Sequence, residues 1–161
     1  VQGIRLFQDA VIGIRDLRMR LGLKPDQLLE EVRIGARTKE AAQVMREFEP
    51  QIAMFARVEK VSLAHDAKKT SGMIGKVYSQ MEIFVAGLSP EVLRREEEHT
   101  KKKILQLETV IRGIESRLSD KKFRGNAPAE VVEREEERRR DLEKKLGAYR
   151  ENLALFRSTE S

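Results

Sequence analysis

The sequence predicts an α+β chain: an N-terminal helix, a small strand-helix-strand-strand layer, then a long antiparallel two-helix coiled-coil arm. Three observations carry that expectation. Residues 30–37 and 77–85 alternate apolar and polar positions, the period of a strand packed on one face. Residues 104–118 and 132–156 instead place apolar residues along a helical seam. Charged residues make up 37% of the chain and aromatics 5%, a balance that suits exposed helices better than one thick core.

The first helix is expected over residues 4–21, where Ile4, Phe7, Val11, Ile14, Leu17 and Leu21 recur every three or four positions. Gly22 and Pro25 supply its stop. A second apolar group, Leu6, Ala10 and Ile12, predicts packing against a further surface, such as another domain. Val32, Ile34 and Ala36 then define a half-buried strand. Thr38 suits the N-cap of a helix with Ala41, Ala42, Met45, Phe48, Ile52 and Phe55 on its inner face, kinked or split at Pro50. Val58, Val61 and Leu63 predict a second strand, residues 67–72 a loop, and Val77, Ser79, Met81, Ile83 and Val85 one third strand.

At Gly87-Leu88-Ser89-Pro90-Glu91 the character changes. Serine at the cap, proline at the first helical position and a glutamate beside it open a helix. Ile104, Leu107, Ile111, Ile114 and Leu118 form its seam, and Gly125-Asn126-Ala127-Pro128 turns the chain. The returning helix, from Pro128 to about Arg157, carries Val132, Leu142, Leu146, Tyr149, Leu153 and Phe156. In an antiparallel hairpin, facing residue numbers have a constant sum. Leu118 with Val132, Ile104 with Leu146, Leu107 with Leu142 and Leu93 with Phe156 satisfy it to within one residue. Two such helices extend roughly 45–50 Å at ~1.5 Å per residue. Glu135 and Arg139 interrupt the second seam opposite Ile114 and Ile111, four residues apart and placed to pair with each other. The domains expected are therefore residues 1–28, 29–88 and 89–161.

The net charge is +5, from 32 basic and 27 acidic residues, so any polyanion site must come from local clustering. The absence of cysteine excludes disulfides and thiolate metal sites. No apolar run approaches the ~18 residues of a membrane span. The start Val1-Gln2-Gly3-Ile4 reads as a cut within a longer chain rather than a signal peptide. His65 and His99 have no partner at ligand spacing and are expected at the surface. Lys68-Lys69-Thr70-Ser71 lacks the glycines of a phosphate loop, and no nucleophile constellation is present.

Leu118-Ser119-Asp120-Lys121-Lys122-Phe123 followed by Asn126-Ala127-Pro128-Ala129-Glu130-Val131-Val132 resembles the hairpin of the bacterial valyl-tRNA synthetase arm. Leu142, Leu146, Tyr149 and Leu153 continue the likeness. Upstream, Ile14-Arg15-Asp16-Leu17-Arg18 with Pro25 resembles the last helix of that family's anticodon-binding bundle, and Met81–Leu88 the strand that leads into the arm. Asp120 and Arg124 depart from the family pattern, which has Asn and an apolar residue there. The resemblance implies a C-terminal fragment with no catalytic centre or cofactor of its own. It implies an ATP- and magnesium-dependent valine–tRNA ligase as the cytoplasmic parent, with tRNA, the valine tRNA, as partner alongside the parent's catalytic and anticodon-binding domains. It implies that residues 1–28 close the anticodon-binding bundle and that the arm supports the outer corner of the tRNA, where the D and T loops meet.

The candidate contacts lie in two places. At the tip, Arg117, Lys121, Lys122 and Arg124 face one local acid, Asp120. Unneutralised cations of this kind bind phosphate, although basic residues at a helix end also complement its dipole. Phe123 is expected to close the seam against Val131 or Val132, with stacking on an exposed base pair as the other role. Near the middle, Lys101, Lys102 and Lys103 are expected to face Arg138, Arg139 and Arg140 as a basic stripe; the adjoining runs Glu96–Glu98 and Glu135–Glu137 favour a solvated face of ion pairs instead. The rival function is a hairpin that mediates protein–protein association.

Overall fold

The structure, a computed structural model, describes residues 2–70 and 72–157. Val1, Ser71 of the Lys68–Ser71 loop, and residues 158–161 lie outside the described residues. The architecture is α+β, and the chain divides into two compact units: the described residues of 1–96 with those of 155–161, and Glu97–Ala154.

The first unit opens with α1 (Gln2–Arg20). It ends where Gly22 takes φ +69°, a left-handed conformation that glycine adopts without steric cost. The Gly22 and Leu23 amides then donate to the Met19 and Arg18 carbonyls at 3.1 and 3.0 Å, satisfying the helix end. After it come β1 (Leu29–Ala36), α2 (Lys39–Arg46), α3 (Glu49–Ala56), β2 (Val58–His65), β3 (Ile74–Tyr78) and β4 (Met81–Ala86). Thr38 caps α2 by accepting the Ala41 amide at 3.0 Å. Pro50 sits in the first turn of α3, where its missing N–H costs nothing, so the expected single helix is split in two.

The sheet order is β2-β1-β4-β3, with β1 and β2 parallel and the other pairs antiparallel. Val32, Ile34, Val61, Leu63, Ile83 and Val85 pack with Leu6, Ala10, Ile14, Leu17, Met45 and Ile52 in one core. The second apolar group of α1 thus divides: Leu6 and Ala10 enter this core, whereas Ile12 is exposed. Phe55 is exposed as well, against expectation, because α3 restarts at Pro50 and shifts the helical phase. Gly75 admits the buried Phe84 ring; a Cβ there would lie 2.4 Å from it.

The expected third strand is a hairpin of two. Tyr78 pairs with Met81 across a two-residue turn in which Ser79 takes φ 53°. A two-residue turn pairs position i with i+3, which reverses the parity of the alternation. Met81, Ile83 and Val85 therefore face the core, but Val77 is exposed and Ile74 takes the buried place.

In the remainder of this unit, Val92 and Leu93 of α4 (Pro90–Ser119) and Phe156 of α6 (Ala129–Arg157) pack in or against the same core, the expected Leu93/Phe156 level. In the second unit α4 and α6 run antiparallel. Ile104, Ile111 and Leu146 are buried together, flanked by Leu107, Leu142, Tyr149 and Leu153. Lower numbers of α4 meet higher numbers of α6, as Arg150–Glu108 at 3.1 Å and Arg117–Glu135 at 3.3 Å also show. Helices of 30 and 29 residues match the two expected lengths.

Candidate nucleic-acid interface at the tip of the hairpin

The end of the hairpin differs from the expected turn at Gly125-Asn126-Ala127-Pro128, because Gly125 and Asn126 lie in a short helix. The helix α4 stops at Ser119, and a separate one-and-a-half-turn helix, α5 (Lys121–Asn126), fills the connection. Asp120 causes the break. Its backbone is extended (φ −75°, ψ 118°), and its carboxylate accepts the Lys122 amide at 2.9 Å as an N-cap. The family's Asn would fill the same capping role, so this departure preserves the local geometry. The Ala127 amide closes α5 on the Phe123 carbonyl at 2.8 Å. Pro128 then precedes α6, accepting the Val131 amide at 3.0 Å.

The four tip cations fall into two pairs. Arg117 meets Glu135 at 3.3 Å and Arg124 donates to Glu136 at 2.8 Å, both across the hairpin. Lys121 and Lys122 are exposed, and among the described residues neither has an ion-pair partner. A window of consecutive residues could not show this split. Glu135 and Glu136 are remote in sequence and reach the tip only because the chain folds back. Phe123 is half-buried and Val132 likewise, while Val131 is 39% exposed.

The two basic triplets do not face each other. Lys103 lies over the Tyr149 ring, 5.2 Å from its centroid, and Lys101 pairs with Glu98 at 3.1 Å and Glu97 at 3.6 Å. The constant-sum register itself sets Lys103 opposite residue 147, about one heptad from Arg140. Arg139 pairs with Glu143 at 3.9 Å, so the expected Glu135–Arg139 pair is replaced by one bridge across the hairpin and one along α6. Lys102, Arg138 and Arg140 are exposed.

Elsewhere, His65 is half-buried, its Nε2 3.1 Å from the Arg37 carbonyl and from Asp66, and His99 is exposed. In the Lys68–Ser71 loop, the Lys68 carbonyl accepts from Arg33 at 3.0 Å and Thr70 donates to the Met73 sulfur at 3.3 Å, roles that hold the loop onto the sheet. Among the described residues no group of three histidine or carboxylate side chains is placed to hold a metal ion, and no helix is long and apolar enough to cross a membrane.

Fold and tip define a class: a helical-hairpin arm with a cationic end, joined to a small α/β unit. Residues 93–156 match the family model of the valyl tRNA synthetase tRNA binding arm. The chain is 26% identical over 149 residues to a valine–tRNA ligase of Syntrophotalea carbinolica, 31% over 148 to one of Mesorhizobium japonicum and 29% over 153 to one of Agrobacterium fabrum. These alignments cover 91%, 92% and 95% of this chain but only 16%, 15% and 16% of the relatives. The chain belongs to the valyl-tRNA synthetase family and contains its tRNA-binding arm.

Proposed function

We propose that this chain holds tRNA for a valine–tRNA ligase, the hairpin leaning on the outer corner of the tRNA where the D and T loops meet. The observation that carries this reading is the exposed pair Lys121 and Lys122 on α5, the segment that joins the two long helices of the arm; among the described residues neither has an ion-pair partner. Such cations release counterions when they meet phosphate, and that release supplies affinity without reading sequence. Arg117 and Arg124 join them by exchanging Glu135 and Glu136 for phosphate; both are more than half exposed, so those bridges are weak. Phe123 closes the end of the seam. Lys102, Arg138 and Arg140, with Lys101, Lys103 and Arg139, extend the basic surface along the helices. The rival reading, an associating hairpin, is not favoured, because Ile104, Ile111 and Leu146 already bury one another within a single chain.

In the parent protein, on this reading, residues 1–28 continue the anticodon-binding bundle, residues 29–88 form the linking subdomain and residues 89–161 the arm. Charging of the valine tRNA with ATP and magnesium proceeds in the cytoplasm on the parent's other domains. The described residues offer no donor set for that metal, and no step of the reaction is assigned to them.

The test is a salt titration of tRNA binding. Replacing Lys121 and Lys122 by Gln should lower affinity and flatten the slope of log affinity against log salt by ~0.7–0.9 per lost contact. Valine tRNA and total tRNA should lose affinity alike. Arg117→Gln with Arg124→Gln should flatten it less. An unchanged affinity and slope in the lysine variant would move the RNA surface away from the tip.

A further inference from the structure

A cleft of about 690 Å³ lies in the first unit where the end of α1, the following loop and the end of α3 converge. Its charged lining residues are all cationic: Arg15, Arg18, Lys24 and Arg57. Its other walls are mainly apolar, with Met19 70% exposed and Phe55 50% exposed. Large side chains on a surface this close to cations are the composition of a stacking platform with a phosphate rail.

The platform is braced by its neighbours. Phe55 is braced edge-on by Phe7, ring centroids 5.7 Å apart at 74°, which fixes one edge and leaves half the residue to solvent. Arg15 is held across the cleft wall by donating to the Phe55 carbonyl at 3.1 Å. Arg18 is buried beneath, its guanidinium donating to the carbonyls of Lys24, Gln27, Ala56 and Arg57. Arg57 has a left-handed backbone (φ 54°, ψ 59°), a conformation uncommon for a side-chain-bearing residue and kept only where the surroundings fix it. Its carbonyl accepts from both the Leu29 amide and Arg18. Thus Arg18 spends its donors on structure, while Lys24 and Arg57 are exposed and, among the described residues, have no ion-pair partner.

We propose that this cleft binds single-stranded RNA, a base lying against Phe55 and Met19 and the flanking phosphates meeting Lys24, Arg57 and Arg15. The site lies in the α/β unit and is separate from the arm's tip; it rests on the reading of the chain as RNA-binding and adds a second contact of different character. Charge decides the occupant. An apolar peptide would gain nothing from a wall whose charges share one sign, whereas a polyanion with flat apolar rings satisfies both features.

The test uses the full 161-residue chain and a labelled oligouridylate of about twelve nucleotides, too short and unpaired to offer a folded tRNA corner. Lys24→Gln with Arg57→Gln should weaken oligouridylate binding about tenfold and flatten the salt slope by roughly 1.4, two single-strand phosphate contacts. Phe55→Leu should weaken it by about five- to a hundredfold and leave the slope unchanged, because stacking releases no counterions. Lys121→Gln with Lys122→Gln should leave oligouridylate binding as it is while weakening tRNA. Photocrosslinking of wild type with a 4-thiouridine oligomer, mapped by mass spectrometry, should label peptides containing Phe55 or Met19, and needs no variant to fold. Crosslinks confined to the arm, or oligouridylate affinity indifferent to the cleft variants, overturn the cleft site. The tip reading would survive that result, since it depends on tRNA binding by the lysine variant. Loss of tRNA binding in neither variant set, with oligouridylate still held at the cleft, would sink the tip reading and keep this one.

Discussion

The two units are held by different means. The α/β unit closes its core from several directions, with helices α1–α3 and the sheet supplying apolar faces to one cluster, and adds polar clamps that cross between elements. Arg18 ties α1 to the carbonyl end of α3, and Asp16 of α1 accepts from Tyr78 of β3 at 2.7 Å. The hairpin has a single apolar seam, with side-chain bridges such as Arg150–Glu108 and Arg117–Glu135 beside it. Between Val132 and Leu142 its returning helix offers no apolar residue to Ile111 and Ile114, and places Glu135 and Arg139 there. Glu135 Oε2 and Arg139 Nε are buried without hydrogen-bond geometry to their ion-pair partners. The lesson is that a convergent core can absorb a buried charge by surrounding it with carbonyls. A two-helix seam has no backbone acceptors to spare, because each helix uses its own.

The strongest way to break this contrast is at Arg18. Arg18→Met keeps the stem and removes the donors from four carbonyls, that of Ala56 buried and those of Lys24, Gln27 and Arg57 partly so. The expected loss is about 4 kcal/mol, measured by urea unfolding of the α/β unit. A loss below about 1 kcal/mol would show that the clamp is incidental.

Next comes Leu146→Ala in the seam, expected to cost about 3 kcal/mol. Hydrogen exchange should show amides of residues 97–154 losing protection while those of β1 and β4 keep theirs. Equal loss in both regions would mean that the units do not melt separately.

The seam charges allow the comparison to be sharpened in the opposite direction. Replacing Glu135 and Arg139 together by Leu restores the heptad and should stabilise the hairpin by about 1–2 kcal/mol, read as a higher Tm. A lower Tm would show that the Arg117 and Glu143 bridges contribute more than the missing apolar contacts.

The smallest expected effect is pH-dependent and confined to the α/β unit. Burial acts to raise the Asp16 pKa, but the hydrogen bonds from Arg20 and Tyr78, with the Arg20 and Lys76 charges, outweigh it and hold the carboxyl below its usual range. Burial first, then the bond to Asp16, pushes the Tyr78 hydroxyl above the usual phenol range. A depressed acid stabilises above its unfolded value of about 3.9 and loses that contribution as pH falls through the folded value. A raised phenol stabilises below about 10 and loses its contribution as pH rises. Stability should therefore have a plateau between roughly pH 4 and pH 10 with a shoulder on each side. Tyr78→Phe should cost about 1 kcal/mol on the plateau and flatten both shoulders. Unchanged shoulders in the variant would assign the acid and alkaline losses to other groups.

Short-range pattern along the chain encodes part of this architecture. The seam of Ile104, Leu107, Ile111, Leu142 and Leu146 set two helices, their lengths and their antiparallel register, because a constant sum follows from helix geometry alone. The Thr38 cap and the Pro50 restart were legible for the same reason: each acts within one turn of its own position. The tertiary structure decided what depends on the chain folding back. It split the expected third strand at Ser79, since the sequence pattern does not show parity reversal across a two-residue turn. It brought Glu135 and Glu136 to Arg117 and Arg124 and so left Lys121 and Lys122, among the described residues, as tip cations without an ion-pair partner. It also gathered Arg15, Lys24 and Arg57 with Phe55 into one cleft, from three segments with no shared motif. Charge neutralisation acts through space between residues distant in sequence, so a count along the chain registers the cations but not which of them remain uncompensated.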